Sequence, residues 1–250
     1  MISVTVLTKN SEKHLKKVLD SLKAFDDVVV YDTGSSDSTM DIARTYSNVR
    51  LVEGPFEGFG LTHNQASSVA KYDWVLSIDS DEVLSVELVE EIKALKLNPK
   101  SVYSVPRNNY YNGKWIRWCG WYPDRVYRLY NRLSTSFCDS QVHETVITKD
   151  LNTVSLKHPL VHYPYENISD FIDKMQRYSE LFANQNAGVK NATLATAIGH
   201  GSFAFFKSYI LKRGFLGGKE GWIISSYNAI TAYYKYLKLA ERSKKSTPSH

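Results

Sequence analysis

The first hundred residues alternate short aliphatic, β-branched runs with amphipathic runs, and that alternation leaves little besides a parallel α/β sheet. Ile2–Leu7 reads as a strand, and Leu15, Val18, Leu19 and Leu22 then recur at helical spacing between charged residues. Val28–Tyr31 is a second strand, followed by the turn Thr33-Gly34-Ser35-Ser36-Asp37-Ser38 and a helix over 37–46. Asn48–Val52 gives a third strand, 61–70 a helix, and Trp74–Ile78 a fourth strand apolar enough to be buried on both faces. Ser85 opens a helix whose core face uses Leu88, Ile92 and Leu95. The expected fold is α/β, a Rossmann-like, mainly parallel sheet with helices on both faces.

The texture changes after Pro99. Val102–Pro106 and Val126–Tyr130 read as strands around the aromatic segment Tyr110 to Arg125. From Ser169 the pattern is helical, with helices expected over 192–211 and 222–239 and a glycine-containing turn over 214–221 between them. This places a first domain over 1–165, a helical, basic and aromatic extension over 166–242, and a frayed, disordered tail over 243–250. Two cysteines, Cys119 and Cys138, cannot build a disulfide scaffold or a four-ligand zinc site. No secretory signal is read at the N-terminus, and no run approaches the ~18 apolar residues of a membrane span.

Ligands of a parallel sheet collect beyond the carboxyl ends of its strands. Asp32 follows the second strand, and Asp79-Ser80-Asp81 follows the fourth. In extended chain, residues two apart point the same way, so Asp79 and Asp81 can present both carboxylates to one Mg²⁺ or Mn²⁺ bridging a diphosphate. The same acids would also serve a solvated turn before the Ser85 helix. No Gly-x-Gly-x-x-Gly follows the first strand and no Walker lysine loop is present, which weakens dinucleotide and P-loop readings.

With Ser3–Asn10 opening the chain, Asp32 to Thr39, His63-Asn64 and Asp79-Ser80-Asp81, the N-terminal half resembles the family 2 glycosyltransferases of the GT-A fold. Trp121 to Tyr130, Val142-His143-Glu144, His158, His162-Tyr163 and the 209–221 segment resemble the lipopolysaccharide core transferases, including β-1,4-glucosyltransferases of the inner core. The resemblance implies an inverting transferase that moves a hexose, glucose first among them, from a UDP-sugar onto a lipopolysaccharide or lipooligosaccharide acceptor. Thr8, Asn10 and Glu12 would line the nucleotide end, and Asp32 would meet the uracil ring. Asp79 would meet the ribose or the metal, and Asp81 the metal, with His143 able to reach it through a turn. His63-Asn64 departs from the family's common Arg-Asn pair, which makes that diphosphate contact weaker or protonation-dependent. The absence of a Gln-x-x-Arg-Trp motif argues against processive polymer synthesis.

Inversion needs a base within about 3 Å of the acceptor hydroxyl. Glu144 is favoured, in a segment whose Val142 and Val146 suggest an edge strand. Asp124, in the turn Tyr122-Pro123-Asp124-Arg125, is the next choice, and Asp139 is a third. Each acid could equally form a structural ion pair with Arg125, Arg128 or Arg132. Arg125 and Arg128 offer bidentate contacts to phosphate oxygens, although three residues apart on a strand they face opposite ways. His158 and His162 are four apart, but Pro159 excludes the helix that would make them a metal pair, so a structural or acceptor-contacting role is favoured over zinc.

Charge divides unevenly along the chain. Residues 1–150 carry 18 Lys and Arg against 20 Asp and Glu, whereas residues 151–250 carry 13 against 6. From Phe203 to Arg242 ten aromatic residues mix with seven Lys or Arg. Such a segment suits a helix on an anionic membrane surface, which would place a cytoplasmic enzyme peripherally on the inner membrane beside a lipid-linked saccharide acceptor. Phe203, Phe206, Ile210, Ile223, Tyr227, Ile230 and Tyr234 are expected mostly to pack helices together, with a minority exposed. Competing functions are a transferase with another nucleotide-sugar donor or another envelope or protein acceptor, and a nucleic-acid-binding module. No nucleic-acid motif supports the last.

Overall fold

A computed structural model describes residues 1–139 and 144–245. The chain divides into two compact units, Met1–Asn108 with Asp124–His162 and Asn109–Pro123 with Tyr163–His250.

In the first unit, β1 (Ile2–Thr8), β2 (Asp27–Asp32), β3 (Val49–Glu53) and β4 (Trp74–Asp79) are linked by helices α1 (Glu12–Ser21), α2 (Thr39–Arg44) and α3 (Phe59–Ser68). A further strand, β5 (Glu82–Leu84), precedes α4 (Val86–Ala94). β6 (Ser101–Tyr111), β8 (Arg125–Asn131), β9 (Asn152–Ser155) and β10 (Leu160–His162) complete its strands, and β7 (Lys114–Trp115) belongs to the second unit. The path through the sheet is β3-β2-β1-β4-β8-β6-β10-β5, with β7 and β9 pairing β6. The β3-β2-β1-β4 part is parallel, whereas β8 runs antiparallel to both β4 and β6. The sheet is therefore mixed, with the parallel part at the N-terminal end of the sequence. Its central strands bury both faces: Val4, Val6, Val28, Val30 and Ile78 are inaccessible to solvent on the face covered by the apolar stripe Leu15, Val18, Leu19 of α1, and Val29 and Val75 are inaccessible on the other.

This strand order has a direct consequence for function. The chain winds outward from β1 through β2 to β3 and then returns to place β4 on the other side of β1. At such a reversal the connections leave on opposite faces, opening a crevice at the carboxyl ends of β1 and β4. Lys9–Ser11 and Asp79–Asp81 lie at those ends.

The expected elements are present with shifted ends. The helix expected over 37–46 is shorter, and Asp37 lies outside it in the preceding turn, accepting from the Thr39 amide at 3.0 Å. Ser85 caps α4 by accepting from the Leu88 amide at 3.1 Å. In the second unit, α5 (Ile168–Asn186) opens on an Asn167–Asp170 capping box. The helix expected over 192–211 is α6 (Leu194–Phe206) followed by one π-helical turn, Lys207–Leu211, and a 3₁₀ turn, Gly214–Gly217. The last helix, α7 (Gly218–Lys245), begins inside the expected glycine turn. Glycine is required there: a Cβ at Gly221 would stand 1.9 Å from the Gly214 carbonyl oxygen. The aromatic segment 109–123 belongs to this unit, where Tyr111, Ile116 and Cys119 pack with Phe171 and Ile224. Both cysteines are free. Ser246–His250 of the expected tail lie outside the described residues.

Candidate functional site

The loops after β1, β2 and β4 are tied together by side chains. Thr8, buried at the end of β1, donates from its hydroxyl to Asp32 Oδ1 at 3.1 Å, and its carbonyl accepts from the Thr33 amide at 3.0 Å. Asn10 takes a left-handed backbone (φ 50°), which aims its side chain at the loop after β2, where Oδ1 accepts from the Ser36 amide at 2.8 Å. Glu12 Oε2 accepts from the Ser38 amide at 3.1 Å, and Asp37 returns the contact by accepting from the Glu12 amide at 3.2 Å. The Ser11 and Ser80 hydroxyls share a hydrogen bond of 2.7 Å, which joins this pair of loops to Asp79-Ser80-Asp81. Thr8, Asn10, Glu12 and Asp32 are therefore brought together, beside the aspartates after β4.

Asp32 is only 1% exposed, and its lone pairs are filled from within. Oδ2 accepts from the Gly34 and Ser35 amides at 2.9 and 2.8 Å, and Oδ1 from the Thr8 and Ser35 hydroxyls. A carboxylate has about four such positions. This acid shapes the loop that follows β2.

Behind Asp79 lies a buried ion network. Arg128 Nη2 donates to Asp79 Oδ2 and, at 2.6 Å, to Glu82 Oε1. Glu82 is inaccessible to solvent; it also accepts from Arg107 Nη1 at 3.2 Å and, through Oε2, from the Asp79 amide at 3.1 Å. Arg107 Nε in turn donates to Asp124 Oδ2 at 2.8 Å. Burial opposes ionisation of Asp79, but the charge of Arg128 foremost outweighs it and holds the carboxyl well below the ordinary range. Burial likewise opposes the charge on Arg128, yet Asp79 and Glu82 push its pKa upward. Arg128 Nε is buried with no hydrogen-bond partner, so this guanidinium retains a donor.

His63 is a neutral imidazole in this setting. It is 1% exposed, with Nδ1 3.0 Å from the Ser77 hydroxyl, Nε2 3.6 Å from Asp79 Oδ1 and its ring stacked on Phe137 at 4.5 Å. Burial lowers its pKa to about 4; Asp79 opposes that shift and Arg128 adds to it. Asn64 braces the same segment, donating to the Phe137 carbonyl at 3.0 Å and accepting from its amide at 2.9 Å. Neither His63 nor Asn64 offers a cation where the family's common pair has arginine. Arg128, from β8, is the cation beside Asp79.

Arg125 turns away from Arg128: Nη2 donates to the Ser104 and Leu156 carbonyls at 3.0 and 2.7 Å, fastening β6 to the end of β9. Asp124 is held by Arg107. Glu144 is half-buried, two residues before Val146, which bridges Phe137 in a short antiparallel contact. His143 and Val142 lie outside the described residues. Asp139 is exposed.

Among the described residues no three of His, Cys, Asp and Glu are grouped to enclose a metal ion. Asp79 is engaged by Arg128. Asp81 is half-exposed, and its Oδ2 stands 3.5 Å from His162 Nε2, where β10 pairs with β5. The Asp81 carboxylate is a suitable protein ligand for Mg²⁺ or Mn²⁺ whose remaining ligands are phosphate oxygens and water, and the neighbouring imidazole suits Mn²⁺ better than the harder Mg²⁺.

The Glycosyl transferase family 2 model matches residues 3–215. The chain belongs to that family. A relative in Rickettsia typhi, described as an uncharacterized glycosyltransferase, is 29% identical over 98% of this chain and 88% of its own. The lipopolysaccharide core biosynthesis glycosyltransferase LpsC of Rhizobium meliloti is 24% identical over 96% of this chain and 92% of its own. The poly(ribitol-phosphate) β-N-acetylglucosaminyltransferase TarS of Staphylococcus aureus is 35% identical over 37% of this chain and 18% of its own. A crystal structure of TarS residues 1–349 aligns with 97% of this chain and 89% of that one at 18% identity and a TM-score of 0.47. Family membership makes the enzyme a sugar transferase, and these relatives span more than one acceptor class.

Glu82 and Arg107 were not among the sequence-derived site residues. The available signal for Glu82 was its phase: it alternates with the buried Leu84 in β5, so it faces the same way as a core residue.

Proposed function

We propose that this enzyme moves a hexose, glucose first among the candidates, from a UDP-sugar to a lipid-linked saccharide of the bacterial envelope, with inversion at the anomeric carbon. The observation that carries the reading is the joining of the β1, β2 and β4 ends through Thr8–Asp32 and Ser11–Ser80 at the reversal of strand order. The nucleotide lies against the Thr8–Glu12 and Asp32–Ser38 loops, and the diphosphate lies toward Asp79 and Asp81. Asp81 and His162 would hold Mg²⁺ or Mn²⁺, which when bound neutralises charge on the diphosphate leaving group. Arg128 fixes the Asp79 carboxylate in its ionised form, while neutral His63 adds no competing positive charge.

The acceptor hydroxyl oxygen forms the new bond to the anomeric carbon as the bond to the diphosphate oxygen breaks, and that oxygen leaves with the bonding pair. The hydroxyl proton passes to a carboxylate. We assign this base to Glu144 in preference to Asp124, which pairs with Arg107 on the far side of the Glu82 network from Asp79. Glu144 also lies near the Phe137–Val146 contact, whose Phe137 ring stacks on His63 beside Asp79. The lipopolysaccharide core acceptor is supported by the near full-length likeness to LpsC. The N-terminal likeness to TarS supports a second reading, with an N-acetylhexosamine donor and a polyol-phosphate acceptor.

A donor screen with Mg²⁺ or Mn²⁺ tests the reading, with release of UDP from UDP-glucose and UDP-N-acetylglucosamine as the readout. Wild type should turn over one UDP-hexose in a metal-dependent manner, and Asp81→Ala should remove that turnover. Glu144→Gln should lower kcat about 10²–10⁴-fold while leaving donor affinity unchanged. Full turnover with Asp81→Ala would end the metal assignment, and full turnover with Glu144→Gln would end that of the base.

A further inference from the structure

The helical unit reverses the usual placement of small and large side chains. Along α6 and its π-helical turn, the side facing inward carries the small residues Ala197, Gly201 and Ser208, all buried. Gly201 approaches α7 closely: a Cβ there would lie 3.1 Å from Tyr233 Cβ and 3.3 Å from the Ala229 carbonyl oxygen. Phe203, Phe206 and Ile210, three and four residues apart, are instead 58, 48 and 45% exposed. At about 100° per residue they centre on the side opposite the buried set. The apolar surface continues past the turn, where Leu211, Phe215, Leu216 and Trp222 are each about half exposed or more. Phe215 and Trp222 both pack edge-on against Tyr209, at 6.4 and 5.4 Å between ring centroids. Tyr209 thus holds the part of this surface beyond the turn together. Of the residues expected to pack helices together, Ile223 and Tyr227 do so, whereas Phe203, Phe206, Ile210, Ile230 and Tyr234 face outward.

Its charges are of one sign. Lys207, Lys212, Arg213 and Lys219 are exposed, and none forms an ion pair among the described residues. From residue 187 to residue 240 the sequence has a single acid, Glu220. That acid is buried and accepts from Lys114 at 2.8 Å and from Asn112 at 3.0 Å. Large apolar patches on soluble proteins mark interaction surfaces. A second copy of this chain would bring the same unpaired cations face to face, with no acid to meet them. A lipid surface meets both requirements, since apolar rings settle at the acyl boundary while lysine stems carry their ammonium groups to the phosphates.

We infer that the face formed by Phe203, Phe206 and Ile210 of α6 and its turn, with Lys207, Lys212 and Trp222, seats this protein on an anionic membrane surface. This goes beyond the sugar-transfer reading and does not depend on it.

Co-sedimentation of the full chain with vesicles tests the inference, using phosphatidylcholine alone and phosphatidylcholine mixed with phosphatidylglycerol. Wild type should bind the mixed vesicles at least about tenfold more tightly, and added salt should weaken that binding. Lys207→Gln with Lys212→Gln should lose about fivefold per lysine. Phe206→Ser with Ile210→Ser should lose binding to the mixed vesicles with an unchanged thermal melt, because those side chains face solvent. Release of UDP without vesicles should be the same in both variants, which separates this inference from the catalytic one. Wild type that ignores the mixed vesicles at low salt would overturn the inference, as would undiminished binding by the lysine variant. A dimer abolished by Phe206→Ser with Ile210→Ser, without vesicle binding, would instead assign the face to a second copy.

Discussion

Acidification should unfold this protein through His63 before its carboxylates matter. The imidazole has a folded pKa of about 4 against an ordinary 6.5, so the unfolded chain takes up its proton first. Because the folded value is depressed, the stability tied to the neutral ring is complete above the unfolded pKa. It falls away as the pH drops toward 4. At pH 4.5 an unfolded imidazole is about 99% protonated and the buried one only about a quarter, which costs roughly 2.4 kcal/mol relative to pH 7. Asp79 works in the same direction but in a lower window, since its depressed pKa withdraws stability only as the pH falls through and below the ordinary carboxylate range. The assay is urea unfolding at pH 7 and 4.5 in chelator-containing buffer, for wild type and His63→Gln. The variant cannot titrate, so its loss between the two pH values should be smaller by about that amount. Equal losses in the two proteins, or an imidazole carbon resonance titrating near 6.5 in the folded state, would refute the reasoning.

Further outcomes follow from the packing. Glu82→Ala leaves Arg128 and Arg107 without their shared buried acceptor and should cost about 3–5 kcal/mol in chemical unfolding, with Glu82→Gln costing less. Gly60→Ala would put a Cβ 2.0 Å from the Cys138 carbonyl oxygen. It should destabilise by about 1–3 kcal/mol and speed amide exchange at Phe137, whose amide is bound by Asn64 on the same helix.

The parts of the fold visible in the sequence were those with a local cause. β1, β2 and β4 are apolar runs buried on both faces, and α1 carries its core stripe at helical spacing, so neighbouring residues alone identify them. β9 and β10 had no such signal. β9 is wholly exposed, and β10 is three residues long and owes its place to pairing with a distant strand. The site divides in the same way. Asp32 and Asp79-Ser80-Asp81 announced themselves by following apolar runs. Glu82, Arg107 and the use of Arg128 beside Asp79 depend on contacts between residues up to 49 positions apart, which spacing does not record. His63 was legible as a residue and illegible as a chemical species. Its neutrality comes from burial, which the sequence around it does not disclose.

The saturation of Asp32 bears on how a donor would be greeted. Four donors fix this carboxylate from inside the protein, so the turn that follows takes its shape when the chain folds. The entropy of immobilising that turn is then settled once per molecule, and not at each encounter with a nucleotide. Asp32→Glu keeps the charge but adds a methylene where every lone pair already has its partner. A residue that serves as a mould is less forgiving of its own homologue than one that merely lends a charge.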